Sequence, residues 1–294
     1  MKKDRCRTAM LFLAIPLLWI FIFIFIPFLN ILQSSFFQVS YTRNNGFVGI
    51  DNYWEILTTA QYNRAIWVSL YYMCAAVMQV LLALVLSFLL MKCRFSNIYK
   101  AIYAIPYLIN GIAIGYMFRL FYSHGYVLDS LLELIGFDLE KLPFWLRDQR
   151  INNWALAFAS VWRYTGLSLI IFVGVIASVQ RDVLEASSLD GAGRWSQFRY
   201  IIWPQIRPTV CLNLLLSVTS SLSEFEIPYT IASGGSNGTA TYMTLIYRVA
   251  FVERKLGLAS AMVVLLLMQL VFCALLLLEI SKRLWQQPEG VSER

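Results

Sequence analysis

Long apolar runs constrain this chain more than any other feature. They cover about residues 8–29, 65–91, 98–121, 153–179, 209–231 and 256–280. Each holds roughly twenty residues or more, enough for a helix across a hydrocarbon core of about 30 Å. Lipid offers no partner to backbone N–H and C=O groups, so a chain that crosses it folds as helices or as a closed barrel. The alternating apolar-polar strands of a barrel are absent, which leaves helices. Composition agrees: 59% of the 294 residues are hydrophobic and 14% are charged, with a mean hydropathy of +0.63. Soluble domains carry about a quarter charged residues. The expected fold class is an all-α polytopic membrane protein with six transmembrane helices.

The first run follows a basic start, Lys2, Lys3, Arg5 and Arg7 against Asp4. It is too long for the core of a signal peptide, and no small-x-small site follows it. It reads as an uncleaved helix that Pro16 and Pro27 kink or end. Between the runs lies a mixed stretch from Gln33 to Tyr62, with a turn expected at Arg43-Asn44-Asn45-Gly46. A second connection, Tyr122 to Asn152, carries Leu131, Leu132, Leu134 and Ile135, which suggest a short surface helix; a Gly-rich stretch runs from Ser233 to Thr239. Lys and Arg are more frequent on the side that holds Lys2–Arg7, Lys92–Lys100, Arg181–Arg207 and Lys282-Arg283. That bias places both termini and the 181–207 segment in the cytoplasm, and it explains the net charge of +7 without nucleic acid. Cys6, Cys74, Cys93, Cys211 and Cys273 show no paired spacing and read as free thiols. The organisation expected is residues 1–64 as N-terminal cytoplasmic tail, first helix and outer loop, residues 65–285 as a core of five helices, and residues 286–294 as a cytoplasmic tail.

Between the fourth and fifth runs lies a segment with patterning of its own. Asp182 is a suitable N-cap, with Glu185 three residues later at capping-box spacing, which starts a short helix through Leu189. Asp190-Gly191 reads as a turn in which the glycine takes positive φ. A second short helix is expected from Arg194 to about Ile202, with Trp195, Phe198 and Ile202 on one face. Pro204 and Pro208 mark the entry to the next run. Two short helices at a sharp angle outside the bilayer make a docking surface. The segment has no histidine, cysteine or phosphate-binding glycine loop for a reaction centre. The plain alternative is an ordinary loop, for which it is long and strongly patterned.

With Glu185-Ala186-Ser187, Asp190-Gly191-Ala192, Phe198, Ile201, Pro204 and Pro208, this segment resembles the EAA loop of permease subunits in binding-protein-dependent ABC importers. Ser187 stands where the pattern has its second alanine. Phe47-Val48-Gly49-Ile50-Asp51-Asn52-Tyr53, Ala104-Ile105-Pro106-Tyr107 and Val161-Trp162-Arg163-Tyr164-Thr165-Gly166 resemble carbohydrate-type permeases of the maltose, lactose and glycerol-3-phosphate kind. So do Phe225-Glu226-Ile227-Pro228-Tyr229, Gly234-Gly235 and Gly257-Leu258-Ala259-Ser260-Ala261. The resemblance implies a multi-pass permease in a bacterial inner or plasma membrane, with a cytoplasmic coupling loop between helices 4 and 5. It implies a second permease subunit, two cytoplasmic ABC ATPases and an extracellular solute-binding protein as partners, and a sugar or related small solute as cargo.

The chain itself lacks the Gly-x-x-x-x-Gly-Lys-Ser/Thr pattern for ATP, holds a single histidine (His124), and offers no metal or cofactor site, so no enzyme is expected. The function expected is conformational: spans that alternate between outward-open and inward-open states. In that scheme Glu185 anchors the coupling loop, Gly191 allows its bend and Phe198 fills an apolar pocket. Arg163 lies about ten residues into the fourth run, roughly 15 Å deep at helical rise. An arginine at that depth faces the protein interior with a partner, and Glu224 and Glu226 in the fifth run are candidates. A structural ion pair and a pathway-lining role both fit. Tyr107, Asn110, Trp162, Arg163, Tyr164, Glu224 and Tyr229 are the candidate lining residues, with packing or interfacial anchoring as the other reading of each. Two alternatives stand beside a sugar permease: a permease for a non-sugar solute such as a polyamine or phosphate, and a structural membrane subunit without a pathway.

Overall fold

The computed structural model describes residues 12–41, 43–91, 93 and 96–285. The basic N-terminal residues, Cys6, Lys92, Arg94 and the 286–294 tail lie outside the described residues. In chain order, α1 spans Phe12–Ser34, and strands β1 (Phe37–Ser40) and β2 (Arg43–Phe47) form an antiparallel hairpin. Helix α2 (Asp51–Thr58) precedes α3 (Ala60–Leu90); α4 (Ser96–Leu108), α5 (Gly111–Phe121) and the short α6 (Val127–Leu134) follow. Then come α7 (Asn152–Ala177), α8 (Arg181–Leu189), α9 (Arg194–Gln197), α10 (Trp203–Leu222), α11 (Glu226–Ile231), α12 (Tyr242–Tyr247) and α13 (Leu256–Trp285). Among the described residues α1, α3, α7, the stretch from α9 to α11, and α13 are each long and apolar enough to cross a membrane. The pair α4 and α5 makes a sixth span if counted as one.

Three local expectations are corrected. The third run is broken: α4 and α5 meet at 97°. Pro106 lies inside α4 and removes a helical donor near its end, while the Asn110 side chain accepts the Ile112 N–H at 2.8 Å and caps α5. Pro27 does not end the first helix. A π-helical turn over Phe21–Phe25 precedes it, and this wider turn absorbs the proline so that the helix runs on to Ser34. Arg43-Asn44-Asn45-Gly46 belongs to β2, because its backbone pairs with β1, Ser40 standing opposite Arg43; the reversal falls at Tyr41, with φ +51°.

The described residues group into two compact units. One comprises the described residues up to Asn63 together with Ile246–Gln269. In it Asn52 donates to the Ser35 and Phe37 carbonyls at 2.8 and 3.2 Å, and the Tyr53 hydroxyl donates to Ser35 Oγ at 2.7 Å. Gly257 lets the hairpin lie against the start of α13: a Cβ there would collide with the Phe37 carbonyl and approach Val39 N at 3.0 Å. The large apolar side chains of α1 from Phe12 to Leu29 stay exposed, as suits a lipid-facing helix.

The other unit holds the described residues of Arg64–Leu245 and those from Leu270 to Trp285. Among the described residues its interior has two large apolar clusters and a small one of Ala75, Ala157 and Val161. The first joins Val68 and Tyr72 of α3, Ile114 and Phe118 of α5, Leu156 and Ala159 of α7, and Ile227 and Ile231 of α11. The second joins Val80 and Ala83 of α3, Leu169, Phe172 and Ile176 of α7, then Phe198, Ile202, Ile206 and Val210. Between the two large clusters, α3, α7 and α10 also bring polar side chains inward, among them Gln79, Ser160 and Asn213.

Candidate functional site

Two places in this unit combine polar chemistry with an apolar scaffold. The first is the α8–α9 hairpin. Gln180, in extended conformation, occupies the N-cap of α8 without a side-chain bond, and Asp182 falls in the first turn. The Asp182–Glu185 capping box is therefore not formed; Asp182 favours the helix through the macrodipole instead. The C-terminus of α8 closes as a Schellman motif. Ala192 N–H donates to Ser187 O at 2.9 Å and Gly191 N–H to Ser188 O at 3.1 Å, with Gly191 at φ +86°. A Cβ on Gly191 would meet nothing within 4 Å, so backbone conformation rather than space calls for glycine.

The second helix is not short. From α9 the backbone continues through a π-helical turn, Phe198–Ile202, directly into α10, with Pro204 in its first turn. Pro204 stands inside this run and has no N–H to donate; as at Pro27, the wider π turn just before it accommodates the ring, so the helix is not interrupted. Phe198 and Ile202 are buried in the second apolar cluster, where the Phe198 and Phe88 rings lie 4.9 Å apart. Trp195 does not share that burial: it is 64% exposed, beside Phe198 at 5.8 Å. Leu189 and Tyr200 are exposed as well, as are Glu185, Ala186 and Asp190.

Gln197 is the residue that the pattern of the segment did not single out. Its buried Nε2 lies 3.0 Å from Leu184 O, 3.0 Å from Ser187 Oγ and 2.7 Å from Ser188 Oγ. The two serine hydroxyls in turn donate to Leu184 O at 2.9 and 2.8 Å. One amide thus fastens α9 to the last turn of α8. The available signal was Ser187-Ser188 itself, two hydroxyls where helix formers would serve, awaiting a donor.

The second place is a cavity of about 350 Å³ in the interval between the apolar clusters. Helix α3 contributes Tyr72 and Gln79, α4 contributes Tyr107, and α7 contributes Ser160 and Tyr164. Asn213, Ser217, Ser220 and Ser221 of α10 and Glu224 beyond it complete the polar lining. Gln79 Nε2 lies 3.2 Å from Ser217 Oγ and 3.4 Å from Ser168 Oγ, and Ser168 donates to Asn213 Oδ1 at 2.9 Å. Tyr164 is about 18 Å along α7 from its first residue, near the middle of that helix.

Beside the cavity stands a half-buried ion pair. Arg163 Nη1 is 2.8 Å from Glu226 Oε2 and 3.2 Å from Tyr164 Oη, and Tyr164 Oη donates to Glu224 Oε2 at 3.3 Å. Gly111 makes the pair possible. A Cβ there would run into the Glu226 carboxylate and the Arg163 guanidinium, with Arg163 Cζ at 2.8 Å. Of the seven residues proposed from sequence to line a pathway, the cavity brings together Tyr107, Tyr164 and Glu224. Arg163 is held by Glu226, Asn110 caps α5, Trp162 packs edge-on to Phe118 at 5.4 Å, and Tyr229 stacks on Phe225 at 4.8 Å.

Comparison with known proteins gives this geometry a setting. Residues 80–286 match the family described as binding-protein-dependent transport system inner membrane component. The osmoprotective compounds uptake permease protein GgtC of Synechocystis sp. is 30% identical over 264 residues, covering 87% of this chain and 92% of that protein. The probable starch degradation products transport system permease protein AmyD of Thermoanaerobacterium thermosulfurigenes is 26% identical over 259 residues, 87% of each. A solved chain of a bacterial ABC transporter involved in the import of the acidic polysaccharide alginate superposes with a TM-score of 0.83 over 96% of both chains, at 21% identity. That likeness shows the fold.

Proposed function

This chain belongs to the family of binding-protein-dependent transport system inner membrane components, as a permease subunit of a bacterial ABC importer in the inner membrane, and we propose on that premise that it forms part of the pathway for a sugar or related polar solute, driven from outside by ATPases. A permease subunit is not itself an enzyme; hydrolysis lies in a separate subunit. The cavity carries the reading. Hydroxyls, amides and a carboxyl gathered at mid-helix between two apolar clusters are costly in a membrane unless a solute uses them. A relative named for starch degradation products supports a carbohydrate.

The α8–α9 hairpin is the proposed coupling loop, formed by Glu185, Ala186, Ser187, Asp190, Gly191, Ala192, Phe198, Ile201 and Pro204. Exposed Leu189, Trp195 and Tyr200 give an ATPase an apolar surface to hold. Gln197 makes the hairpin stiff, and α9 runs into α10 without a loop. A push on the hairpin therefore turns the helix that carries Asn213, Ser217 and Ser221, with the Phe198 and Ile202 packing as pivot, and the cavity opens to one side or the other. Residues 65–285 form the permease core in this scheme, with residues 1–64 and 286–294 flanking it and both termini cytoplasmic. A second permease, two ATPases and an extracellular binding protein complete the importer.

The test uses the chain co-purified with the products of its neighbouring genes in lipid. ATP hydrolysis is measured with and without the binding protein and candidate sugars. Stimulation is expected in wild type and in Gly191→Ala, which bears only the backbone strain. It should vanish in Gly191→Trp, whose side chain enters space that is empty within this chain. Full stimulation in Gly191→Trp would falsify the lever.

A further inference from the structure

Glu224 is the one ionisable acid or base among the described residues that line the cavity, apart from phenols. The other polar groups are hydroxyls and amides. Two of them, Tyr72 Oη and Ser160 Oγ, are buried there without a protein partner. Hydroxyls that both donate and accept suit a polyhydroxylated solute, and leaving them unpaired is unfavourable. Arg163 makes no direct bond to the acid: its guanidinium is engaged by Glu226 and by the same Tyr164 hydroxyl that meets Glu224, and it lies outside the lining. The cavity therefore offers charge of one sign. The fold does not dictate this, since a chain of the same fold belongs to an importer of an acidic polysaccharide.

Resting on the reading of this cavity as the solute site, we propose that Glu224 makes the permease discriminate by charge. Neutral polyhydroxylated solutes and those bearing an ammonium group are admitted, and solutes bearing a carboxylate are turned away. Two like charges brought together in a water-poor site repel far more strongly than in bulk water, whereas an ammonium gains a partner. Tyr164, donating to the carboxyl at 3.3 Å, holds it toward the cavity. The volume, about 350 Å³, sits at the lower end of small-molecule sites, so the group that enters is about the size of one sugar ring rather than a long chain.

The experiment is equilibrium dialysis of tritiated glucose, glucosamine and glucuronate against the assembled importer in lipid nanodiscs, without binding protein, so that the permease alone selects. Wild type should prefer glucosamine to glucuronate. Glu224→Gln should reduce that preference about tenfold or more while glucose binding changes by less than about threefold. Ser217→Lys, which adds a cation to the same wall, should reverse it, and it answers the question if Glu224→Gln fails to assemble. Ser220→Trp fills the cavity and should abolish binding of all three. A preference that survives both charge substitutions, with Ser220→Trp still blocking, overturns the charge discrimination alone. Unaltered binding by Ser220→Trp, or no binding by wild type, overturns the solute-site reading and the inference with it.

Discussion

The hairpin and the cavity are built from the same kinds of side chain, serines, a glutamine and aromatic residues, and they are closed in opposite ways. In the hairpin, Gln197 bonds groups only nine to thirteen positions earlier in the chain. In the cavity, Gln79 reaches Ser217 across 138 positions, and Arg163 reaches Glu226 across 63. A short loop closes with little loss of chain entropy, and its contacts survive when distant helices shift. The cavity exists only while α3, α7 and α10 are docked, so each helix displacement reshapes it. One region is thus suited to move as a body and the other to change as a consequence.

The difference can be attacked first where long-range docking is tightest. Gly166 of α7 packs directly on α4: a Cβ would collide with the Tyr103 carbonyl oxygen and come within 2.6 Å of its carbon. Backbone cannot yield as a side chain does, so Gly166→Val is expected to destabilise by roughly 4 kcal/mol or more. Thermal melting followed by size exclusion in detergent reads this; a melt within about two degrees of wild type would mean that α4 is free to move. Next in size is the ion pair. Arg163→Met leaves Glu226 unpaired and should lose about 2 kcal/mol, below the range for buried pairs because the Glu226 side chain is 45% exposed. Arg163→Met combined with Glu226→Met should recover most of that, and a double-mutant cycle showing simple additivity would remove the pair as a stabilising contact.

The hairpin should respond more mildly and locally. Gln197→Leu removes the donor shared by Leu184, Ser187 and Ser188, for about 1–3 kcal/mol. Faster proteolysis between Gly191 and Arg194, with the melt of the helical core unchanged, is the expected signature. Equal cleavage rates would show that Phe198 and Ile202 hold the hairpin by themselves. Smallest is Gly191→Ala, which places a side chain at φ +86° with no collision and should lose about 1 kcal/mol. A Gly191→Asn variant should lose less, since asparagine tolerates that conformation; the reverse order would argue against φ as the cause.

Legibility followed the same division. Gly191 at positive φ and a short helix ending at Leu189 were readable from neighbouring residues, because a helix stop is decided within one turn. The same local logic misplaces the Asp182 cap, since the helix starts from Gln180, two residues earlier than a capping box requires. The break at Ile109-Asn110 was signalled by Pro106 and Gly111, yet nothing local says that Gly111 is small in order to seat Arg163 and Glu226. Gln197 falls off the face shared by Trp195, Phe198 and Ile202, and only its position over Ser187 and Ser188 makes it a fastener.

What the sequence determined by itself was the solvent of the fold and which runs of the chain are helical. Continuous runs of about twenty apolar residues, without the alternation of a barrel strand, satisfy their backbone in lipid as helices, and that constraint is local to each run. Tertiary structure alone decided which polar side chains meet. Glu224 and Glu226 lie two residues apart and both stood as partners for Arg163. The helix ends at Leu222 and restarts at Glu226, which turns one carboxyl to the cavity and the other to the guanidinium. That restart is fixed by α11 packing on α5, where a Cβ on Gly115 would strike Thr230 Cβ at 2.5 Å, a contact made across more than a hundred residues of chain.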